Sequence, residues 1–433
     1  MRKLTFILTL LLLSAFVLEF SLNIRVSNID GLSLKNLAIY MLILLMIIGN
    51  SVLGEPIIAR GPVTVPAIAF ILYCTLSLLL TGFFNLVPGY SVSQELRWFK
   101  SAMDPYILLT IYFSLIKDEK TIKRLLFLLI TVYVVFLAIT LLGSFNLLSV
   151  GRVYINDKLG RTRGAFSEWN QYPLYLSVFF PLLITYFRQS ARNIVKMMVG
   201  CILLIAAYEI LLSGSRGGLI CLATALGAYY LLESRQRLIK KLVGVTIVYV
   251  CAVVALIIIS YLLPEGSADI LLSKITGKFF QEHNVHMEYT SGRFGLWTAA
   301  LPEFFRSPIF GTGWRSFIPL FGGNSHNDFL LYLVTTGVIG VSLYVWVFMR
   351  MIKAVSRYRS VDTDNRSLYN AFIAGIVAYL AGSFLVNVYT PAYFVFMYAA
   401  VMVKLGLVVQ QGSVSVEVPV SSENRVLVRG RRN

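Results

Sequence analysis

Two positions in the sequence combine a reactive residue type with neighbours that suit chemistry, and the first is an arginine in a turn of small residues. Arg216 lies in the sequence SGSRGG at residues 213–218, at the expected start of an apolar helix. Small residues let a ligand approach the backbone, and the free N–H groups of a helix N-terminus attract anions. The turn therefore predicts an anion-binding site. The alternatives are an arginine that anchors the helix at the membrane interface, or an ion pair with Glu209 at the end of the preceding helix.

The second position is His326, which precedes Asn327 and a long apolar run. His326 recurs at helical spacing with two leucines and with Gly337 and Gly340, so these residues are expected to share one helix face. The glycines would let a neighbouring helix pack closely and would fix the face that carries the histidine. A neutral imidazole held there can accept a proton from a sugar hydroxyl group. The alternative is a histidine whose ring only makes capping or interface contacts.

The composition indicates that these residues belong to a membrane protein. The chain has 433 residues, of which 57% are hydrophobic and only 14% are charged, whereas soluble domains are about a quarter charged. The mean hydropathy is +0.75. The formal net charge of +17 could suggest nucleic acid, but no soluble basic domain can be separated from the apolar runs. We therefore expect the distribution of basic residues to reflect the orientation of the chain in the membrane, and we predict no nucleic-acid partner.

The apolar runs predict an all-α polytopic protein, because a helix of about twenty residues crosses a bilayer and satisfies its own backbone there. The N-terminal run, which lacks a cleavage site, is interpreted as a retained first helix. The four cysteines lie inside apolar runs and indicate neither a disulfide framework nor a metal site. We predict twelve spans, near residues 4–20, 34–53, 63–83, 98–116, 122–144, 171–187, 194–212, 217–232, 239–263, 327–349, 369–386 and 391–408.

The distribution of basic residues predicts the orientation of these spans. A cytoplasmic N-terminus puts 24 of the 38 Lys and Arg residues on the cytoplasmic side, mostly in short connections. Residues 1–409 are then a single transmembrane domain in the inner membrane, in contact with membrane lipid, and residues 410–433 form a disordered basic cytoplasmic tail. Two longer outward segments follow, at about 145–170 and 264–326. The second is too long for a passive connection and is predicted to be helical, between spans 9 and 10.

The outward side nevertheless carries fourteen basic residues, although Lys and Arg normally concentrate on the cytoplasmic side. This number of outward basic residues suggests an anionic partner. Arginine dominates this group and suits phosphate oxygens, although solvated loop charge explains most of its members. His283 and His286 could bind a metal at helical spacing, but the signal is weak and we predict no metal site. No nucleotide-binding loop and no outward Asp-x-Asp pair is present. A glycosyl donor used on this side would therefore have to arrive already activated, as a lipid-linked diphosphate sugar does.

Ordered motifs between about residues 160 and 350 resemble the O-antigen ligase and O-antigen polymerase superfamily. They are SGSRGG at 213–218, RFGLW at 293–297, PIFGTGW at 308–314 and HN at 326–327, preceded by RGAF at 163–166 and WN at 169–170. The resemblance implies a metal-independent, cofactor-free, inverting glycosyltransferase with a periplasmic active site. Its donor would be a glycan on undecaprenyl diphosphate.

The resemblance also assigns roles to individual residues. Arg216 and Arg293 would hold the diphosphate, and His326 would activate the acceptor hydroxyl. Further substrate-binding residues would be Arg163, Arg315 and Asn327. In a ligase the acceptor is lipid A–core, and in a polymerase it is another lipid-linked repeat unit. The single large outward segment near the histidine favours the ligase. A repeat-unit polymerase and, as a different class, a secondary transporter stay as alternatives.

Overall fold

The computed structural model describes residues 2–22, 33–84, 86–88, 90–145, 170–234 and 293–414, together with residues 147, 155, 156, 161, 162, 164 and 166. Several predicted features lie outside the described residues. They are the ninth span at 239–263, Arg163, His283, His286, most of the first outward segment, residues 264–292 of the second, and the tail from residue 415.

The described residues form thirteen α-helices and one antiparallel pair of two-residue strands, in which Ile155 pairs with Thr162 and Asn156 with Arg161. A π-helical turn, Val17–Ser21, follows α1. The helices are α1 (Arg2–Phe16), α2 (Leu34–Val52), α3 (Thr64–Phe83), α4 (Val92–Leu115), α5 (Glu119–Ser144), α6 (Gln171–Gln189), α7 (Asn193–Leu212), α8 (Arg216–Glu233), α9 (Arg293–Arg306), α10 (Phe317–Phe321), α11 (Asp328–Val361), α12 (Arg366–Ser383) and α13 (Tyr389–Val414). The strands β1 (Ile155–Asn156) and β2 (Arg161–Thr162) lie between α5 and α6.

The helical, polytopic character that was predicted is confirmed, whereas the count of twelve spans is not. Eleven of the predicted spans overlap one of these helices. Six helices in the described part of the chain are long and apolar enough to cross a membrane, namely α2, α3, α5, α7, α11 and α13. The chain is therefore a multi-pass membrane protein with at least these six candidate spans.

The helix α13 lies at the centre of the bundle and α7 at its edge. Of the most apolar stretch of α13, 78% is buried, against 17% for α7. Helix α13 packs against α4, α5, α6, α11 and α12, and its aromatic residues Tyr393, Phe394 and Tyr398 are fully enclosed. By contrast, Met197 and Leu204 of α7 are exposed, as side chains that face lipid would be.

Helix α11 is broken at Gly337, which has φ 65° and ψ −169°. Carbonyl groups before the break accept hydrogen bonds from a segment outside the helix. The Thr312 N–H donates to the Val334 oxygen and the Gly313 N–H to the Thr335 oxygen, both at 2.9 Å. After the break, the Val338 N–H donates to the Pro308 oxygen at 2.9 Å. The PIFGTGW segment therefore replaces the hydrogen bonds that the helix loses.

At Gly337, this break corrects the expectation that the glycines admit a neighbouring helix. Gly340 does face one, because a Cβ atom there would lie 3.2 Å from the Tyr73 ring of α3. The close approach is real, because a Cβ atom at Gly337 would lie 2.2 Å from the Ile309 oxygen, and one at Gly311 would lie 2.4 Å from the Thr335 carbonyl carbon. The partner, however, is the non-helical segment 308–313. Since the helix is interrupted, residues on the two sides of Gly337 do not share one continuous face.

Candidate functional site

A cavity of about 290 Å³ lies where the beginnings of α6, α11 and α13 meet α2, α4 and the segment around Arg315. It is near the lower end of the range of about 300–1,000 Å³ that is common for small-molecule sites. Its lining mixes aromatic and polar side chains: Lys35, Trp98, Ser101, Ala102, Asn170, Gln171, Trp314, Arg315, Asn324, His326, Leu331, Tyr332, Thr335, Val386, Asn387, Tyr389, Thr390 and Tyr393. Two of the predicted site residues, His326 and Arg315, therefore face one cavity.

His326 is the last residue but one before α11, and its neighbours fix its backbone. Its φ is 50°, in the left-handed region that non-glycine residues rarely adopt. Asn327 is the N-cap, and its Oδ1 accepts from the Leu330 N–H at 3.0 Å. The Ser325 oxygen accepts from the indole N–H of Trp297 in α9 at 2.8 Å. The histidine is thus held between a helix cap and a contact with the RFGLW helix.

Arg315 also has a positive φ, of 56°, and no other non-glycine residue in the described ranges shares this property with His326. Its guanidinium donates to Glu95 Oε2 at 2.9 Å and lies over the Trp98 ring at 4.2 Å from the centroid. Both contacts come from the first two turns of α4, so α4 sets where the charge of Arg315 lies. Its predicted role in substrate binding stays a prediction.

Arg216 is the first residue of α8, as the sequence predicted, but it does not line the cavity. The turn before it is connected to the cavity by Ser215, whose hydroxyl accepts from the Gly218 N–H and donates to Asn170 Oδ1 at 2.6 Å. Asn170 is a lining residue. Among the described residues no ion pair joins Arg216 to Glu209, whose two carboxylate oxygens find no hydrogen-bond partner there. That alternative, unlike the membrane-interface anchor, is therefore not supported.

The remaining predicted residues are located less directly. Arg293 is the first residue of α9, four positions before Trp297, and its side chain lies outside the described residues. Arg163 is outside them altogether. The Oδ1 atom of Asn327 caps α11, so this side chain has a structural contact. Its predicted role in substrate binding stays a prediction.

The connection between α12 and α13 forms part of the cavity wall, and two side chains hold its backbone. Gln171 donates to the Asn387 oxygen at 2.8 Å and accepts from the Thr390 N–H at 3.3 Å. Asp328 Oδ2 accepts from the Val388 N–H at 3.2 Å. Since Asp328 follows Asn327 directly, this bond joins the wall to the turn that carries His326.

Basic residues at the base of the cavity share a buried carboxylate. Asp104 Oδ2 lies 3.1 Å from the Lys100 Nζ and 3.6 Å from the Lys35 Nζ. Tyr393 accepts from Lys35 at 3.0 Å and donates to Asp104 Oδ2 at 3.1 Å. Such a paired network keeps positive charge next to the cavity at a fixed position.

Together, the cavity offers a histidine as proton acceptor, arginine and lysine charges, and aromatic surfaces beside amide groups. This combination suits transfer of a saccharide from an anionic leaving group to a hydroxyl. Within the described ranges no group of three or more His, Cys, Asp or Glu residues could hold a metal ion. The metal-independent reaction stays a prediction.

The sequence did not single out Gln171, Asn387, Tyr393 or the role of Trp314. Polar residues at the ends of apolar runs were the available signal for Gln171 and Asn387. Trp314 belonged to a quoted motif but had no assigned function. Their common location depends on contacts between α2, α4, α6 and α13 that no local pattern contains.

The fold is that of a multi-pass helical membrane protein, and its cavity combines a histidine with charged and aromatic side chains. Residues 201–345 match the family model described as O-antigen ligase. This region, about a third of the chain, is similar to that family, as the motifs predicted, and it contains Arg216, Arg293, Arg315 and His326. No curated protein matches the chain.

Proposed function

We propose that the protein is an O-antigen ligase, which transfers a glycan from undecaprenyl diphosphate to lipid A–core at the periplasmic face of the inner membrane. The observation that supports this most directly is the cavity, where His326 and Arg315 line one space and Asn170 connects it to the Arg216 turn. The family match over the same residues supports the donor class.

In the proposed reaction, the guanidinium groups of Arg216 and Arg293 bind the diphosphate of the donor. Arg216 begins α8, so the free N–H groups at that terminus add to the attraction for anions. A diphosphate leaves as an anion and needs neutralised charge more than protonation, which is the contribution that fixed arginines make. Arg315, paired with Glu95, places a guanidinium in the cavity wall.

His326 is the proposed general base. It removes the proton from the acceptor hydroxyl, the oxygen attacks the anomeric carbon, and the bond to the diphosphate oxygen breaks with its electron pair on the leaving group. Attack from the face opposite the diphosphate inverts the anomeric centre. The cap at Asn327 and the bond from Trp297 to the Ser325 oxygen hold the backbone on both sides of His326 in place.

The test is deletion of the gene, followed by gel analysis of lipopolysaccharide and complementation with the intact gene. A ligase predicts that all O-antigen-capped core disappears and that lipid-linked glycan accumulates. A core that carries a single repeat unit in place of long chains would instead assign the protein as a repeat-unit polymerase. Unchanged lipopolysaccharide together with loss of another surface polysaccharide would also contradict the ligase.

A further inference from the structure

Segment 308–313, which lies between α9 and α10, exposes large apolar side chains although it is not helical. Ile309 and Phe310 are 56% and 64% exposed. No charged residue occurs between Arg306 and Arg315. Single exposed apolar residues are common in water, whereas adjoining ones mark contact with a partner or a membrane. The side chains of this segment therefore resemble those on the lipid-facing sides of the helices.

The backbone of the segment hides its polar groups in a way that a loop in water does not need. Every carbonyl group from residue 308 to residue 311 accepts a hydrogen bond. The pairs are the Val338 N–H to Pro308, the Ile339 N–H to Ile309, the Tyr73 hydroxyl to Phe310 and the Ser307 hydroxyl to Gly311, at 2.9, 3.4, 3.4 and 2.8 Å. The N–H groups of Gly311, Thr312 and Gly313 also donate to carbonyl oxygens, each at 2.9 Å. Such pairing is required in hydrocarbon, which offers polar groups no partner.

Contacts with α3 show how far the segment reaches along the bundle. Gly313 lies beside Thr81, because a Cβ atom at Gly313 would lie 2.0 Å from the Thr81 Oγ1. Thr81 belongs to the last turn of α3, which ends at Phe83. Phe310 lies farther along α3, because its oxygen accepts from Tyr73, in the middle of this 20-residue helix. The segment therefore runs from the end of α3 towards its middle.

Contacts with α11 lead to the same position. A Cβ atom at Gly337 would lie 2.2 Å from the Ile309 oxygen, and α11 begins at Asp328. At a rise of 1.5 Å per residue, Gly337 is about 14 Å from that end of the helix, and one leaflet contains about 15 Å of hydrocarbon. Both α3 and α11 are candidate membrane spans. Ile309 therefore lies alongside spanning helices and not beyond their ends.

The surfaces of the two helices next to the segment are apolar and exposed as well. On α3, Leu76, Leu80 and Phe83 follow Tyr73 at helical spacing and are exposed. On α11, Val338 is exposed directly after the break. The side chains of the segment and of these two helices therefore belong to one apolar surface, and they face the same medium.

We propose that segment 308–313 is a re-entrant membrane anchor, whose Ile309 and Phe310 side chains insert into the hydrocarbon of the leaflet on the cavity side. Arg306, which is exposed and paired with Glu303, then lies at the polar boundary of that leaflet. This part of the chain was predicted to lie outside the membrane with the rest of 264–326. Because the first part of α11 is bonded to the anchor, the turn that carries His326 is tied to the bilayer.

The test uses full-length protein in lipid nanodiscs, with a nitroxide spin label on single cysteines in a background whose native cysteines are replaced by alanine. It compares collisions of the label with oxygen, which concentrates in hydrocarbon, and with a nickel chelate, which stays in water. The variants are Ile309→Cys and Phe310→Cys. Leu76→Cys is the hydrocarbon control, and Val361→Cys, at 66% exposure, is the matched water control. Both segment labels should collide with oxygen and lose nickel collisions to the level of Leu76→Cys.

Two outcomes would overturn the anchor. Nickel collisions at the level of Val361→Cys would mean that the segment lies in water. Protection of Ile309→Cys and Phe310→Cys from both reagents would mean that protein, such as a second copy of the chain, covers the segment.

A measurement without a label checks the same point. Phe310→Asn should lower the melting temperature in nanodiscs, because an unpaired amide is costly in hydrocarbon, whereas Val361→Asn should not. An unchanged melting temperature for Phe310→Asn would contradict the anchor. Neither experiment measures glycan transfer, so failure of the anchor leaves the proposed function intact, and failure of the ligase assay leaves the anchor intact.

Discussion

His326 and Arg315 hold left-handed backbone conformations, which side chains with a β-carbon adopt at a cost of about 1–3 kcal/mol each. Such conformations persist where the surroundings determine them, and here those surroundings are the Asn327 cap and the Arg315–Glu95 ion pair. Both residues line the cavity, so the strain is located where precise side-chain positions matter most.

The first residue-scale prediction separates two possible roles of His326. If the imidazole is the base, His326→Ala keeps donor affinity and lowers the transfer rate roughly 10²–10⁴-fold. Transfer by the parent should also decline in acid, because a protonated imidazole cannot accept the proton of the hydroxyl. Rate and affinity are measured separately on purified protein. High turnover by His326→Gln would remove the assignment as base and indicate a hydrogen-bond donor instead.

Arg216 gives the second prediction at this scale. Arg216→Ala should weaken donor binding by about 1.5–3 kcal/mol, because a charge-assisted contact to the diphosphate is lost. This corresponds to roughly 10- to 150-fold in affinity. Arg216→Lys should recover little of it, since the planar fork is missing. The control is Arg306→Ala, whose guanidinium is exposed and paired with Glu303 in α9. Equal effects of Arg216→Ala and Arg306→Ala would mean that the outward basic residues attract the donor through their summed charge. A specific contact between Arg216 and the diphosphate would then be excluded.

At the scale of elements, the interrupted helix α11 determines how the histidine is presented. Its first part, from Asp328 to Thr336, is short, and its last carbonyl groups are bonded to Thr312, Gly313 and the Tyr73 hydroxyl. The first part of α11, which follows His326, is therefore hydrogen-bonded to segment 308–313 and to α3, and it is continuous with the rest of α11. Displacing segment 308–313 would leave these carbonyl groups unpaired inside the protein.

Gly337→Ala tests this arrangement. The conformation at φ 65° and ψ −169° is essentially restricted to glycine, and a Cβ there would lie 2.2 Å from the Ile309 oxygen. We expect the variant to lose at least about 2 kcal/mol of stability, measured by thermal unfolding in detergent. Gly322→Ala is the control, because Gly322 has φ 70° but open space around its Cβ. A loss no larger than that of the control would show that segment 308–313 is loosely held.

The sequence was sufficient to predict the positions of the helices. It did not predict the interruption of α11 or the cavity that several helices share. Helix length and polarity are local properties, so the bounds of α2, α3 and α7 follow closely from the apolar runs. Gly337 also occurs at helical spacing, and only the distant segment 308–313 decides that it breaks the helix. Likewise, His326 and Arg216 were recognisable from their neighbours in sequence, whereas Asn387 belongs to the site only because Gln171 and Asp328 hold it there.

On the scale of the whole molecule, polar residues gather at two opposite ends of the bundle. One end contains the cavity and the beginnings of α6, α8, α11 and α13. The other contains Glu233, which accepts from Ser367 and Asn370 and lies 3.5 Å from Arg188. Basic residues are frequent at this second end, which fits the predicted cytoplasmic side.

Cysteine substitution tests that orientation. Phe305 in α9 and Val361 at the end of α11 are exposed to similar extents, 72% and 66%. A membrane-impermeant thiol reagent applied to intact spheroplasts should label Phe305→Cys and should leave Val361→Cys unlabelled until the membrane is permeabilised. The parent chain, with its own cysteines, supplies the background. Labelling of position 361 with protection of position 305 would reverse the topology and exclude a periplasmic cavity.

The bonds between segment 308–313 and α11 have a consequence for amide hydrogen exchange. The N–H groups of Thr312 and Gly313 are donors to α11 carbonyls, although neither residue belongs to a helix or a strand. Their exchange should therefore open only together with the first part of α11, as one cooperative unit, and should be far slower than that of the Gly322–Gly323 turn. Mass spectrometry of deuterated peptides that cover 308–314 and 321–325 measures the difference. Rapid exchange in both peptides would mean that the segment detaches from α11 often, and that the position of His326 fluctuates with it.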